Sequence, residues 1–313
     1  MLNIKPSENT RLYGLEKELN QFLILYKNNK LPNKILLSGK KGLGKATMAY
    51  HLINHVLSKN EEFKYDIKNN IINKENKSYK LILNNVHPNF YPIDLKEEKK
   101  NIDISQIREM IQFTNKSSFN LSPRFILIDN VENLNKNSVN ALLKVIEEPN
   151  NNIYFILIHN NEKKILPTLK SRTLLFNINL SFDRVIEISN KLLNKDLLSE
   201  INSDLINYYN SPGQFIKLII FANEKKISLT DYNLNNFLDL LISNVYYKKD
   251  IFVKNLIIDL IELFFLKEYK ISKTKKSLLK IYHKFVDKIH FTQKYNLDEE
   301  ALFLEFQSRL LNG

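Results

Sequence analysis

The feature that most constrains this chain is a glycine-rich loop. Gly39-Lys-Lys-Gly-Leu-Gly-Lys45 stands between an unbroken apolar run, Lys34-Ile-Leu-Leu-Ser38, and a stretch with helical periodicity from Thr47 to Leu57. The chain has only six glycines, and Gly39, Gly42 and Gly44 fall in this one turn. Glycine enters positive φ without steric cost, so the loop needs backbone conformations that other residues resist. Strand, Gly-x4-Gly-Lys and helix in that order is the context of a phosphate-binding loop. Backbone N–H groups at the loop and helix N-terminus face an anion, and the lysine reaches its outer oxygens. The candidate contacts are Gly39, Gly42, Gly44, Lys45, Ala46 and Thr47.

The position after the lysine departs from that pattern. A hydroxyl there ligates magnesium, whereas this chain has Ala46 followed by Thr47. One residue along a helix turns the side chain by about 100°, so Thr47 does not substitute for the missing hydroxyl. A carboxylate suited to orienting magnesium, Asp129, ends the apolar run Phe125-Ile-Leu-Ile-Asp129. Alone it would read as a turn residue at a strand end; beside the loop it reads as part of a site.

Further apolar runs at Tyr154–His159 and Leu174–Ile178 are also unbroken rather than alternating. This suits strands of a parallel sheet buried on both faces. Phe90-Tyr-Pro-Ile93 is a further strand, and Pro92 places it at an edge or strand end. Amphipathic helices are expected over Ile104–Thr114 and Ser138–Glu148, the latter stopped by Pro149. The alternation predicts an α/β P-loop domain over residues 1–178. Beyond Asp183 the pattern is helical, with its clearest break at Asn210-Ser-Pro-Gly213. A small helical lid is expected over 179–225 and an all-α domain over 226–313. Leu57 to Asn85, rich in Asn, Lys and Glu, reads as a solvated insertion with some helix.

Two segments carry a resemblance: Asn140-Ala-Leu-Leu-Lys-Val-Ile-Glu-Glu-Pro149 and Leu166-Pro-Thr-Leu-Lys-Ser-Arg172 closely resemble bacterial clamp-loader subunits of the AAA+ class. In that family a Ser-Arg-Cys signature supplies an arginine to a neighbour's ATP site. Ser171 and Arg172 match it, and Thr173 replaces the cysteine. The resemblance extends to Arg11-Leu-Tyr-Gly14, which in the family packs near the adenine, and to Leu31-Pro32 and His87-Pro88. Asn160 matches the sensor 1 position. Ser211-Pro-Gly213 matches the start of the sensor 2 helix, whose usual arginine is Gln214 here. The family's ATPases place Glu after the Asp129 position. This chain has Asn130, and an amide cannot act as a base. With Ala46, this favours the delta-prime type over the gamma/tau type, which also carries a four-cysteine zinc module opposite Leu57–Asn85.

The resemblance implies a hetero-pentamer with gamma/tau and delta subunits that places a sliding clamp on primed DNA. The 226–313 domain would join a collar, and the own ATPase would be inactive. An active gamma/tau-like ATPase is the alternative, and Ala46 and Asn130 count against it. A recombination helicase subunit is a weaker option.

There is no cysteine, so disulfides and thiolate metal sites are excluded and zinc is not expected. A cytoplasmic setting follows as the expectation. MLNIKPSENT lacks the apolar core of a signal peptide. The most apolar run, Leu256 to Leu266, is short and carries Asp259 and Glu262, so no membrane span is expected. The net charge of +12 suits a DNA partner, and lysine-rich composition explains it equally well. His51 and His55 sit four apart, but no carboxylate accompanies them as in a zinc peptidase, and they are not read as ligands. The stripe Phe252, Leu256, Leu260, Phe264 reads as core, and Lys96 to Lys100 as a solvated loop.

Overall fold

The computed structural model describes residues 5–96, 99–115, 122–148, 152–271, 275–295 and 297–311. Four residues of the MLNI start, the two glutamates inside the Lys96–Lys100 run, and Pro149 lie outside these. The chain divides into two compact units: residues 1–193 with 211–215, and residues 194–210 with 216–313.

The first unit is built on five parallel strands: β1 (Lys34–Ser38), β2 (Phe90–Ile93), β3 (Arg124–Ile128), β4 (Ile153–His159) and β5 (Leu174–Asn177). Their order across the sheet is β2-β3-β4-β1-β5. All four pairings are parallel, with Leu36 beside Leu157 and Leu175 in the centre. β2 lies at an edge, where Pro92 removes no needed donor. The helices are α1 (Glu16–Lys27), α2 (Lys45–Leu57), α3 (Lys77–Leu83), α4 (Ile104–Asn115), α5 (Lys136–Glu147), the short α6 (Pro167–Lys170) and α7 (Phe182–Leu193).

Alternate strand residues feed two cores. Ile35, Leu37, Phe125, Leu127, Ile156 and Ile158 pack with α1 and α2. Leu36, Ile126, Ile128, Phe155 and Leu157 pack with residues of α4 and α5. Each fully buried Leu, Ile or Phe contributes roughly 1.5–3 kcal/mol relative to exposure, which is why the unbroken runs at β1, β3 and β4 sit inside. Asparagines set helix starts: Asn76 accepts from Tyr79 N at 2.7 Å for α3, and Asn135 accepts from Ser138 N at 2.8 Å for α5. Arg124 is buried at the start of β3. It donates to Phe113 O and Thr114 O at 3.0 and 3.1 Å, a cation on the C-terminal carbonyls of α4.

The Leu57–Asn85 segment contains helix, as expected, in α3, and much of it is exposed, but it is not solvated throughout. Tyr65, Ile72, Tyr79 and Ile82 are buried in the α1–α2 core. Ile71 pairs with Arg11, and Ile72 N donates to Thr10 O at 2.8 Å. Glu61 caps the first turn of α3 through Lys77 N, Ser78 N and the Ser78 hydroxyl. Four apolar residues spaced through a polar stretch were enough to anchor it.

The second unit is helical: α8 (Leu197–Glu200), α9 (Pro212–Lys225, whose first turn belongs to the first unit), α10 (Leu234–Ser243), α11 (Ile251–Ile271), α12 (Lys275–Tyr295) and α13 (Glu300–Phe306). Its core includes Phe264, Phe265, Phe285 and Phe306 in a ring cluster with centroids 5.2–6.1 Å apart. Leu256, Leu260 and Phe264 of the expected stripe are buried and Phe252 is half-buried. Among the described residues no helix is long and apolar enough to cross a membrane.

Candidate functional site

The loop Gly39–Lys45 leaves the carboxyl end of β1. This is the point where the chain's route across the sheet reverses, β2 and β3 being added on one side and β5 on the other. Ligands of open parallel sheets bind at such switch points. Gly42 and Gly44 have φ of 84° and 89°, so the left-handed turns that glycine permits are in place and Gly44 starts α2. A side chain at Gly44 would meet only Leu15 Cδ1, at 3.7 Å. Ala46 is buried and Thr47 is partly exposed.

The lysine amine is engaged by its own loop. Lys45 Nζ donates to Gly39 O at 2.6 Å and to Lys40 O at 2.7 Å. The residue is 3% exposed. Desolvation lowers its pKa to about 8, opposed by the nearby Asp129, Glu132 and Glu162 carboxylates.

Asp129 follows β3 directly and accepts from Asn160 Nδ2 at 3.2 Å. Burial of its carboxyl, and then the charge of Asp94, raise its pKa to about 6. Asn130 adopts φ 54°, a left-handed conformation that Asn tolerates. It donates to Asp94 Oδ1 at 2.6 Å and accepts from Asn160 Nδ2 at 2.9 Å. Asn160 N donates to Glu132 Oε1 at 2.9 Å, while Glu132 Oε2 is buried without a partner. The structure thus brings Asp129, Asn130 and Asn160 into one network at the ends of β3 and β4. Ser38, the last residue of β1, donates to Asn161 Oδ1 at 2.9 Å and lies 3.0 Å from His159 Nδ1. This ties the loop's root to the end of β4. Ser38, His159 and Glu132 had no signal in the sequence, because the contacts that join them to this network span 28 to 123 residues.

On its other side the loop is held by the first turn of α9. Ser211 Oγ donates to Lys41 O at 2.6 Å and Gly213 N to Gly42 O at 3.0 Å. A Cβ on Gly213 would lie 2.8 Å from Gly42 Cα. Gln214 caps its own helix: its Oε1 accepts from Ser211 N at 2.9 Å, and its N–H donates to Ser211 Oγ at 3.3 Å. This reciprocal Ser-x-x-Gln box was legible in the sequence as a helix start.

Arg172 follows α6 and is exposed. Its Nε donates to Glu147 Oε1 at 2.6 Å and its Nη1 to Thr168 O at 3.2 Å.

Residues 14–181 match the model described as DNA polymerase III, delta subunit. The chain belongs to that family. The DNA polymerase III subunit delta' of Pseudomonas aeruginosa is 29% identical over 137 residues, 44% of this chain and 40% of the relative. This match thus spans less than half of that protein. The delta' subunit of Buchnera aphidicola subsp. Schizaphis graminum is 28% identical over 238 residues, covering 72% of this chain and 70% of its own length. A solved gamma subunit-related protein from Thermotoga maritima is 16% identical, with a TM-score of 0.48 over 92% of this chain and 97% of that one.

In this member of the delta subunit family, among the described residues, no His, Cys, Asp and Glu side chains group as metal ligands. His51 is fully buried, with Nε2 donating to Asn9 O at 3.0 Å and Nδ1 accepting from Tyr65 at 2.9 Å. Its two nitrogens are thereby satisfied in the neutral form, and burial lowers its pKa to about 4. His55 packs edge-on against the same Tyr65 ring.

Proposed function

We propose that this chain is a clamp-loader subunit of the delta-prime type, with AAA+ architecture, whose contribution to ATP chemistry is Arg172 offered to a neighbouring subunit. The carrying observation is the pairing of an exposed arginine, fixed at the end of a short helix, with a phosphate loop whose own chemistry is incomplete. The loop's backbone suits a nucleotide's phosphates through Gly39, Gly42, Gly44, Lys45 and Thr47. Asp129 and Asn160 stand at the adjoining strand ends. Ala46 brings no hydroxyl for magnesium, and Asn130 brings no base. A bound nucleotide would supply phosphate charge that orders the loop. Lys45 would have to exchange two loop carbonyls for it. The gamma/tau-like ATPase reading is disfavoured on these grounds.

The complex would contain gamma/tau and delta subunits in a hetero-pentamer, act in the cytoplasm, and place a sliding clamp on primed DNA. Within it, residues 179–225 would serve as a lid, although part of this stretch clusters with the first compact unit and part with the second, and 226–313 would serve as the collar domain. Arg172 would stabilise charge developing on the neighbour's transferred phosphoryl group. The test is the DNA-dependent ATPase of the complex reconstituted from one organism's subunits. Arg172→Ala is expected to lower it by at least tenfold, and an unaltered rate would remove this role. Rapid ATP turnover by the isolated chain would restore the gamma/tau reading.

A further inference from the structure

We propose that Glu147 is the positioning residue for Arg172, biasing its guanidinium toward one plane before a neighbour's nucleotide is met; this rests on Arg172 acting in trans. Glu147 is the last residue of α5, and Glu148 is the C-cap. Two carboxylates at a helix C-terminus oppose the macrodipole, which favours cations there. Local helix stability therefore does not account for them. Glu147 has a structural partner, Arg172, 25 residues along the chain. Among the described residues Glu148 has no ion-pair partner.

The geometry is that of an oriented fork rather than a sequestered charge. Nε is held by the Glu147 carboxylate at 2.6 Å and Nη1 by the Thr168 carbonyl at 3.2 Å. One contact comes from α5 and the other from the arginine's own turn, so together they favour one plane and one end-to-end direction of the guanidinium. Nη2 has no partner among the described residues. Both of its hydrogens are available to phosphate oxygens, and Nη1 keeps a second one. Arginine is a long side chain with much rotamer freedom, and its planar fork binds phosphate well once its direction is set. Setting it beforehand reduces the entropy lost when charge develops on the phosphoryl group. The two side chains are 38% and 48% exposed. An ion pair this open is weak, too weak to withhold the arginine from a phosphate. It biases the rotamer without locking it, and so acts on turnover rather than on binding.

The test uses the full reconstituted complex with Glu147→Gln, Glu148→Gln, Arg172→Ala and the Glu147→Gln/Arg172→Ala double variant. DNA-dependent ATPase kcat and KM would be measured for each. Glu147→Gln is expected to lower kcat about 3- to 10-fold with KM changed less than twofold, and to cause no further loss in the Arg172→Ala background. Glu148→Gln is expected to match the parent. An unchanged or raised kcat for Glu147→Gln would overturn the positioning role, as would an equal loss with Arg172 already removed. If Arg172→Ala lowers the rate and Glu147→Gln does not, only this inference fails. If Arg172→Ala has no effect, the trans-arginine reading itself fails.

Discussion

Replacing Gly213 by alanine sets helix propensity against packing. Gly213 is the second residue of α9, and its φ does not lie in the left-handed region. Propensity alone favours the change by about 0.5–1 kcal/mol. The packing says otherwise. The added methyl would lie 2.8 Å from Gly42 Cα and 3.1 Å from Gly42 O, both backbone atoms with no rotamer to move. Ordinary carbon contacts need about 3.5–4.0 Å, so the two backbones must part by close to 1 Å. That separation strains Gly213 N to Gly42 O at 3.0 Å and Ser211 Oγ to Lys41 O at 2.6 Å. Each bond contributes about 1 kcal/mol net, and overpacking costs roughly 1–3 kcal/mol. After the propensity gain, Gly213→Ala is expected to destabilise the first unit by about 1–3 kcal/mol. Thermal unfolding followed by circular dichroism should show the main transition falling by several degrees. Ser211→Ala, which loses the hydroxyl bonds alone, should cost about 1–2 kcal/mol. A Gly213→Ala protein as stable as its parent, or more so, would refute the argument, since the loop and α9 would then not be in obligatory contact.

Two further outcomes follow from buried polar groups. His51 and His87 have folded pKa values lowered to about 4 by desolvation, against about 6.5 when unfolded. Below pH 6.5 the unfolded state gains protons that the folded state does not. Stability therefore falls as pH drops through the window from 6.5 to 4, by up to about 3 kcal/mol per histidine. His51→Gln should flatten the urea-midpoint profile across that window, and an unchanged slope would show that His51 is not held neutral. Asn130→Glu, which places a carboxylate where a catalytic base would be needed, is expected to give no ATPase in the isolated chain. It also removes the donor to Asp94 and adds a like charge beside Asp94 and Asp129, costing about 1–3 kcal/mol. Measurable hydrolysis by that variant would mean that the base alone had been missing.

The sequence by itself determined the elements and their chemistry. Short unbroken apolar runs marked β1, β3 and β4 because their length and flanks suit strands covered on both faces, and Pro92 placed β2 at an edge. Clustered glycines marked the turn after β1 as a candidate phosphate loop, with Ala46 and Asn130 as its departures from the pattern. These signals are local: periodicity, φ preference and side-chain type act within a few residues. The tertiary structure alone decided what closes around the loop. Ser211 and Gly213 reach it from 170 residues away, Lys45 turns onto its own loop's carbonyls, and Glu147 meets Arg172. The buried residues of the 57–85 insertion were hidden for the same reason, although its helix and its exposed side were legible. Its polar composition describes its solvent-facing side, while Tyr65, Ile72, Tyr79 and Ile82 are buried against residues of α1 and α2 that lie far from them in sequence. Contacts between distant segments depend on packing the whole sheet, and no window of sequence contains that information.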